Sequence, residues 1–231
     1  MNNMNFGKLI LVPTPIDEIS KLNPESFSLL LQESMKDETV IVVEDLKPAR
    51  KRWLNFGLPR EAIEKFVQLN EHNFKASTDE LIKALKQGKN VYIMSDGGLP
   101  AFCDPGRELV YQCHKNKIKV TSMPFFNSVI LALALSGLNH QEFHFQGFLP
   151  LDTDQRKKIF QSFVNNKVTT IVMDTPYRLK RLLEELSFIK KEIFLALDLN
   201  APTEELLLMP ANDILLKLND FKREFVLIIP A

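Results

Sequence analysis

Three segments hold the side chains of this sequence best placed to do chemistry. The first is Val12-Pro13-Thr14-Pro15-Ile16-Asp17-Glu18, where two prolines stiffen the exit of an apolar run. The second is Ser95-Asp96-Gly97-Gly98-Leu99-Pro100-Ala101-Phe102-Cys103-Asp104-Pro105-Gly106, too long for a simple connection. Its adjacent glycines let a backbone or a flat ligand come close, and its end feeds a helix N-terminus. The third, Met173-Asp174-Thr175-Pro176-Tyr177-Arg178, is again a strand exit that becomes a capped helix. Asp, Gly and Pro also build ordinary turns, so each loop alone is equally well explained by turn chemistry. No GxGxxG, Walker-type GxxxxGKS/T or GxSxG pattern occurs, which takes away the main support for dinucleotide-binding, P-loop and α/β-hydrolase readings.

Other groups are weaker. Basic residues cluster at Lys47 and Arg50-Lys51-Arg52, at Arg156-Lys157-Lys158 and at Arg178, Lys180 and Arg181. They could contact phosphates, although such runs are more often the solvated face of a helix. Trp53 could stack on a base, with core packing as the commoner alternative. His140 and His144 have HxxxH spacing without further ligands nearby, so no metal site is expected. Cys103 lacks a partnered histidine and reads as a small loop side chain.

The elements that must position these loops alternate between short β-branched runs and amphipathic stretches. Strands are expected at 8–12, 39–43, 90–94, 118–121, 143–148, 168–173, 192–197 and 225–229. Asn23-Pro24-Glu25 has the cap, proline and acid of a helix start. A basic amphipathic helix over 46–56 stops at Gly57. Ser77-Thr78-Asp79-Glu80 reads as a capping box opening a helix that ends at Gly88. Further helices are expected from Asp104-Pro105, over 126–135, over 152–164 and from Thr175-Pro176. The 126–135 stretch is so uniformly apolar that burial on more than one side is expected. In 200–219, the run Glu205-Leu206-Leu207-Leu208-Met209 fits strand or helix equally. The alternation implies an α/β protein with substantial parallel pairing. The best boundary lies near Pro124, giving domains 1–123 and 124–231, with their junction a natural place for a ligand.

Composition fits this picture. The chain has 231 residues, 45% of them hydrophobic, with 29 Lys+Arg against 29 Asp+Glu. Zero net charge argues against a bulk polyelectrolyte binder of nucleic acid, while leaving local patches open. No apolar run approaches the roughly 18–20 residues of a membrane span. Met1-Asn2-Asn3-Met4-Asn5 lacks the features of a signal peptide. Two cysteines without CxxC spacing exclude a disulfide scaffold and favour a reduced, cytoplasmic setting.

The order and spacing of these segments resemble the tetrapyrrole methylase superfamily of S-adenosylmethionine (SAM) dependent methyltransferases, most closely its ribosomal RNA small-subunit methyltransferase I branch. Thr14-Pro15-Ile16-Asp17-Glu18 resembles that branch's TPIGN. Val43-Glu44-Asp45-Leu46-Lys47 resembles AEDTR, and Asn70-Glu71-His72-Asn73 resembles HEHN. Residues 95–106 resemble SDAGTPGISDPG, 134–150 the SASGLP-to-GFLP stretch, and 173–179 YESPHRL. The matches run in order along nearly the whole chain. There are departures: the Gly-Asn after TPI is Asp17-Glu18, a PGPSA turn is Pro124-Phe125-Phe126-Asn127-Ser128, and ARELTK corresponds to Ala196-Leu197-Asp198-Leu199-Asn200-Ala201, without its cations.

The resemblance implies two α/β domains with SAM in the cleft between them, and a cytoplasmic homodimer. Carried over by position, it implies cofactor contacts from Pro15, Ile16, Asp96, Gly97, Leu99, Ser128, Val129 and Met173. The alternative for Ile16, Leu99, Val129 and Met173 is core packing, and for Asp96 a turn or cap. The acceptor it implies is rRNA, at a ribose 2′-oxygen. A hydroxyl is a poor nucleophile and needs a general base. Glu44, Asp45, Glu71, His72 and Asp174 are the candidates, because they lie in the matching segments at strand ends. Two other readings stand beside this one: a non-catalytic relative that binds SAM or RNA, and a methylase of a tetrapyrrole or other small molecule.

Overall fold

The computed structural model describes residues 6–17, 19–103, 106–125 and 127–231. Three sequence features therefore lie outside the described residues: Glu18 of the first loop, the expected Asp104-Pro105 helix start, and Phe126 at the head of the apolar stretch. The chain divides into two compact units, residues 1–125 and 126–231.

The first unit is built on five parallel strands, β1 (Lys8–Val12), β2 (Thr39–Val43), β3 (Phe66–Gln68), β4 (Asn90–Met94) and β5 (Lys119–Ser122), ordered β3-β2-β4-β1-β5. Because side chains alternate along a strand, each strand feeds two cores. Ile10, Val12, Ile41, Val43, Tyr92 and Met94 pack on α1 (Pro24–Glu33) and α2 (Leu46–Phe56). Leu9, Val42, Val91 and Ile93 pack on α3 (Phe74–Lys86) and α4 (Arg107–Lys115). With both faces covered, these strands read as continuous apolar runs. Asn23 caps α1 by accepting from the Glu25 N–H, and α2 ends on left-handed Gly57, as expected.

One local expectation fails here, and one strand goes unforeseen. The Ser77–Glu80 box does not open α3, which starts one turn earlier, after Asn73. The Ser77 hydroxyl instead donates to the Gln68 carbonyl at the end of β3, 3.3 Å away, and the Asn73 amide donates to that same oxygen at 3.0 Å. Strand β3 was not expected at all. It has three residues, too few for a periodic signal, and follows a 3₁₀ turn at Arg60–Lys65.

In the second unit β6 (Phe143–Phe148), β7 (Thr169–Met173), β8 (Ile193–Leu197), β9 (Glu205–Met209) and β10 (Phe225–Ile229) are ordered β6-β7-β10-β8-β9. Only β6 and β7 pair in parallel, and the other three pairings are antiparallel. This corrects the expectation of substantial parallel pairing for this half. The ambiguous 205–209 run is a strand, followed by α8 (Ala211–Lys217). One sheet face packs on α6 (Thr153–Phe163), α7 (Leu179–Glu185) and α8. The other receives α5 (Ser128–Ser136) through Val129, Ala132 and Leu133. Burial of that helix on more than one side is not seen: Ile130 is 52% exposed and Leu135 is exposed as well. No helix among the described residues is long and apolar enough to cross a membrane.

Candidate active site

Parallel pairing brings the carboxyl ends of β1, β2, β3 and β4 to one edge of the first sheet, the edge where open α/β sheets bind ligands. The loops leaving β1 and β4 are tied together. Thr14 and Gly98 exchange backbone hydrogen bonds of 2.9 and 3.0 Å, and the Thr14 hydroxyl donates to the Ser95 carbonyl at 3.1 Å. A Cβ added at Gly97 would lie 3.3 Å from the Ile16 carbonyl oxygen, so glycine there allows the loops to touch. The Arg52 guanidinium, buried on α2, donates to the Pro15 carbonyl. Pro15, Ile16, Asp96, Gly97 and Leu99 are thus brought to one sheet edge, with Ile16 exposed.

The loop leaving β2 adds charge. Burial pushes the Asp96 carboxyl up to about 6; the neighbouring carboxylates of Glu44 and Asp45 push the same way, and Arg52 with the Asp45 backbone N–H holds it back. Among the described residues, buried Oδ1 of Asp96 has no hydrogen-bond partner. Glu44 is half-buried and its carbonyl accepts from Gln68 Nε2 at 3.2 Å. The Asp45 side chain caps α2 by accepting from the Lys47 N–H at 3.2 Å. Glu71 and His72 are exposed on the loop after β3, where Asn70 Oδ1 accepts from the His72 N–H. Asp17 closes its own turn, accepting from the Ile19 and Ser20 N–H groups at 2.8 and 2.7 Å. Burial raises this carboxyl, and those bonds more than offset the rise, so it sits below its ordinary value.

In the second unit Ser128 opens α5 behind its Asn127 cap, Val129 is in the core, and Met173 ends β7 half-buried against the same cluster. Asp174 is buried and fully bonded. Its Oδ2 lies 2.9 Å from Arg156 Nη1, its Oδ1 lies 2.6 Å from Arg178 Nη2, and Oδ1 also accepts from the Thr175 N–H at 2.8 Å. Arg156 is 0% exposed and also donates to Glu185 and to the Pro150 carbonyl. Burial disfavours its charge, but Glu185 and Asp174 more than compensate and hold it firmly cationic.

These positions resolve the basic clusters. Arg52 and Arg156 point inward and do not meet phosphate. Trp53 is buried, donates to the Pro59 carbonyl at 2.7 Å and meets Phe66 edge-on at 5.2 Å, so it is packing and not a base platform. No group of three or more metal-ligating side chains occurs among the described residues. The two buried arginines were missed in sequence because a basic run reads as a solvated face. A signal was available: Arg52 follows Ala49 and precedes Phe56 at helical spacing, as Arg156 precedes Phe160 and Phe163.

Residues 9–213 match the family described as Tetrapyrrole (Corrin/Porphyrin) Methylases. The chain belongs to this family. It is accordingly a SAM-dependent methyltransferase, and its fold is that of the tetrapyrrole methylases. Over 203 residues it is 32% identical to the ribosomal RNA small subunit methyltransferase I of Halalkalibacterium halodurans, covering 87% of this chain and 67% of that one. To the protein of the same name from Synechocystis it is 32% identical over 188 residues, covering 81% and 64%. The chain therefore spans about two thirds of the length of these relatives. A crystal structure of cobalt precorrin-4 methyltransferase, 13% identical, superposes with a TM-score of 0.55 over 96% of this tetrapyrrole methylase and 94% of that enzyme.

Proposed function

We propose that this enzyme methylates small-subunit ribosomal RNA at a ribose 2′-oxygen, in the cytoplasm and as a homodimer. The observation that carries the rRNA reading is the 32% identity, over most of the chain, to proteins named ribosomal RNA small subunit methyltransferase I; the ribose 2′-oxygen follows from the family resemblance. The residues present fit SAM. Its sulfonium and ammonium groups are cationic, which suits the carboxylates of Asp96, Glu44 and Asp45. The open Asp96 Oδ1 needs a donor, and a hydroxyl or ammonium group supplies one. Glycine at 98, with nothing within 4 Å of where a side chain would stand, leaves the backbone open to a flat group.

We assign Pro15, Ile16, Asp96, Gly97 and Leu99 to cofactor binding in the first unit. Ser128, Val129 and Met173 are assigned in the second on the family resemblance. When bound, SAM supplies an electrophilic methyl carbon for direct displacement. The chain's own task is then orientation, worth up to about 7–11 kcal/mol in favourable cases. Asp45 caps a helix and Asp174 is clamped by two guanidiniums, so the general base is sought among Glu44, Glu71 and His72. Departure of the first loop from its family pattern does not favour a non-catalytic binder, because the Asp17 carboxylate is spent within its own turn.

The test compares rRNA nucleosides by mass spectrometry from cells with and without the protein, followed by methylation of small subunits with purified enzyme. Loss of one ribose-methylated nucleoside, restored in vitro, is expected. Identical nucleosides in both cell types would overturn the reading. Light scattering at twice the monomer mass checks the dimer.

A further inference from the structure

We propose that the surface around Tyr177 binds unpaired RNA, with the tyrosine ring as a platform on which one base stacks; this rests on the rRNA reading above. Tyr177 is 77% exposed, an unusual setting for so large a ring. It sits on a 3₁₀ turn, Pro176–Arg178, that follows the carboxyl end of β7 directly. The turn is pinned on both sides of the ring. Asp174 is held by Arg156 and takes the Thr175 N–H, while Arg178 bonds Asp174 through its side chain and donates its N–H to the Thr175 carbonyl at 2.9 Å. A ring held in place loses little freedom when a partner arrives.

The surroundings suit a polyanion with aromatic bases. Lys222 Nζ lies 4.9 Å from the Tyr177 ring centroid, and Lys180 Nζ lies 5.7 Å from that of Phe221. Of the expected basic cluster here, Arg178 and Arg181 are paired with Asp174 and Glu185, whereas Lys180 sits over an aromatic ring, as does Lys222 from outside that cluster. The Asp220 carboxyl is turned onto the Lys222 backbone N–H at 2.8 Å. Leu151 is exposed on the loop leaving β6, and the neighbouring Pro150 carbonyl is held by the same Arg156. Aromatic platforms beside cations are how proteins hold single strands: rings take base faces and cations take phosphates. In a duplex the base faces are already stacked, so the surface selects unpaired RNA.

Fluorescence anisotropy with a labelled short oligoadenylate, and with a duplex of the same length, tests this on the full chain at low salt. Wild-type protein is expected to favour the single strand. Tyr177→Ala should weaken binding roughly 5- to 150-fold, the range for loss of one stacked base, while Tyr177→Phe keeps it. Lys222→Ala should weaken it and lower the salt slope by about 0.7. Calorimetric SAM titration of each variant reports whether the fold survives. If Tyr177→Ala also loses SAM binding, the comparison of Tyr177→Phe and Lys222→Ala with wild type decides. Absence of binding by wild-type protein, equal affinity of folded Tyr177→Ala, or preference for duplex would each overturn the proposal. Failure to methylate small subunits would instead remove the rRNA reading, with the oligonucleotide result still judging this surface.

Discussion

At Asp96 a half-buried carboxyl faces two other carboxylates, so the chain carries repulsion there that a cationic ligand would relieve. A carboxyl whose folded pKa is raised to about 6 binds its proton more tightly when folded. Its contribution to stability is therefore full below its unfolded value near 4 and is lost as pH rises through 6. Asp96→Asn should raise the melting temperature of the ligand-free protein at pH 7.5, by an amount that shrinks towards pH 4, and should weaken SAM binding. Calorimetry at several pH values checks the first half, and a melting difference independent of pH would refute it. The general base has a different signature. Among Glu44→Gln, Glu71→Gln and His72→Ala, one is expected to lower kcat by roughly 10²–10⁴-fold at saturating SAM. The SAM dissociation constant should stay unchanged in the Glu71 and His72 variants and rise in Glu44→Gln, whose carboxylate faces the cationic cofactor. If all three retain wild-type kcat in small-subunit methylation, the base lies elsewhere. Nothing in the sequence distinguished Asp174 from these candidates, because its partner Arg156 lies 18 residues away and contact across elements leaves no local pattern.

Arg156 does for the second unit what Arg52 does for the first: a helix sends an arginine inward and fixes the loop at a strand exit. From α6 it reaches the Pro150 carbonyl after β6, Asp174 after β7 and Glu185 on α7. Arg156→Met should cost about 3–5 kcal/mol, since it leaves Asp174 buried with a single cation. Arg156→Lys should recover little, because one ammonium cannot reproduce a planar fork. Urea unfolding checks both, and a loss below about 1 kcal/mol for the methionine variant would show that the network is not structural. Elements themselves were legible where physics is local. The runs at 8–12, 39–43 and 90–94 are buried on both faces and so lack polar alternation; Asn23 carries its cap chemistry in its own side chain, and Gly57 in having none, which frees it for the left-handed conformation. Ser77 was not legible, because the carbonyl it bonds belongs to a strand too short to be seen.

For the chain as a whole, alternating strand and helix segments look alike whether strands pair in parallel or not, and the second sheet's antiparallel order depends on where β10 inserts, between β7 and β8. Pairing direction was therefore beyond the sequence for the second sheet, though legible for the first, which is parallel throughout, while the collinear loop motifs, spread over both halves, were enough to reveal the family. Those motifs predict a property of the entire molecule. A ligand that binds only the folded state stabilises it by about 2.7 kcal/mol at a hundredfold excess over its dissociation constant. For a chain of 231 residues each kcal/mol shifts melting by about 2–4 °C, so saturating SAM should raise the melting temperature by roughly 5–11 °C. The shift should fall in Asp96→Asn, whose unligated form is already relieved of its buried charge, and persist in Tyr177→Ala. A scan at millimolar SAM that leaves wild-type melting unmoved would contradict cofactor binding by this chain, since no other step of the proposed reaction can proceed without it.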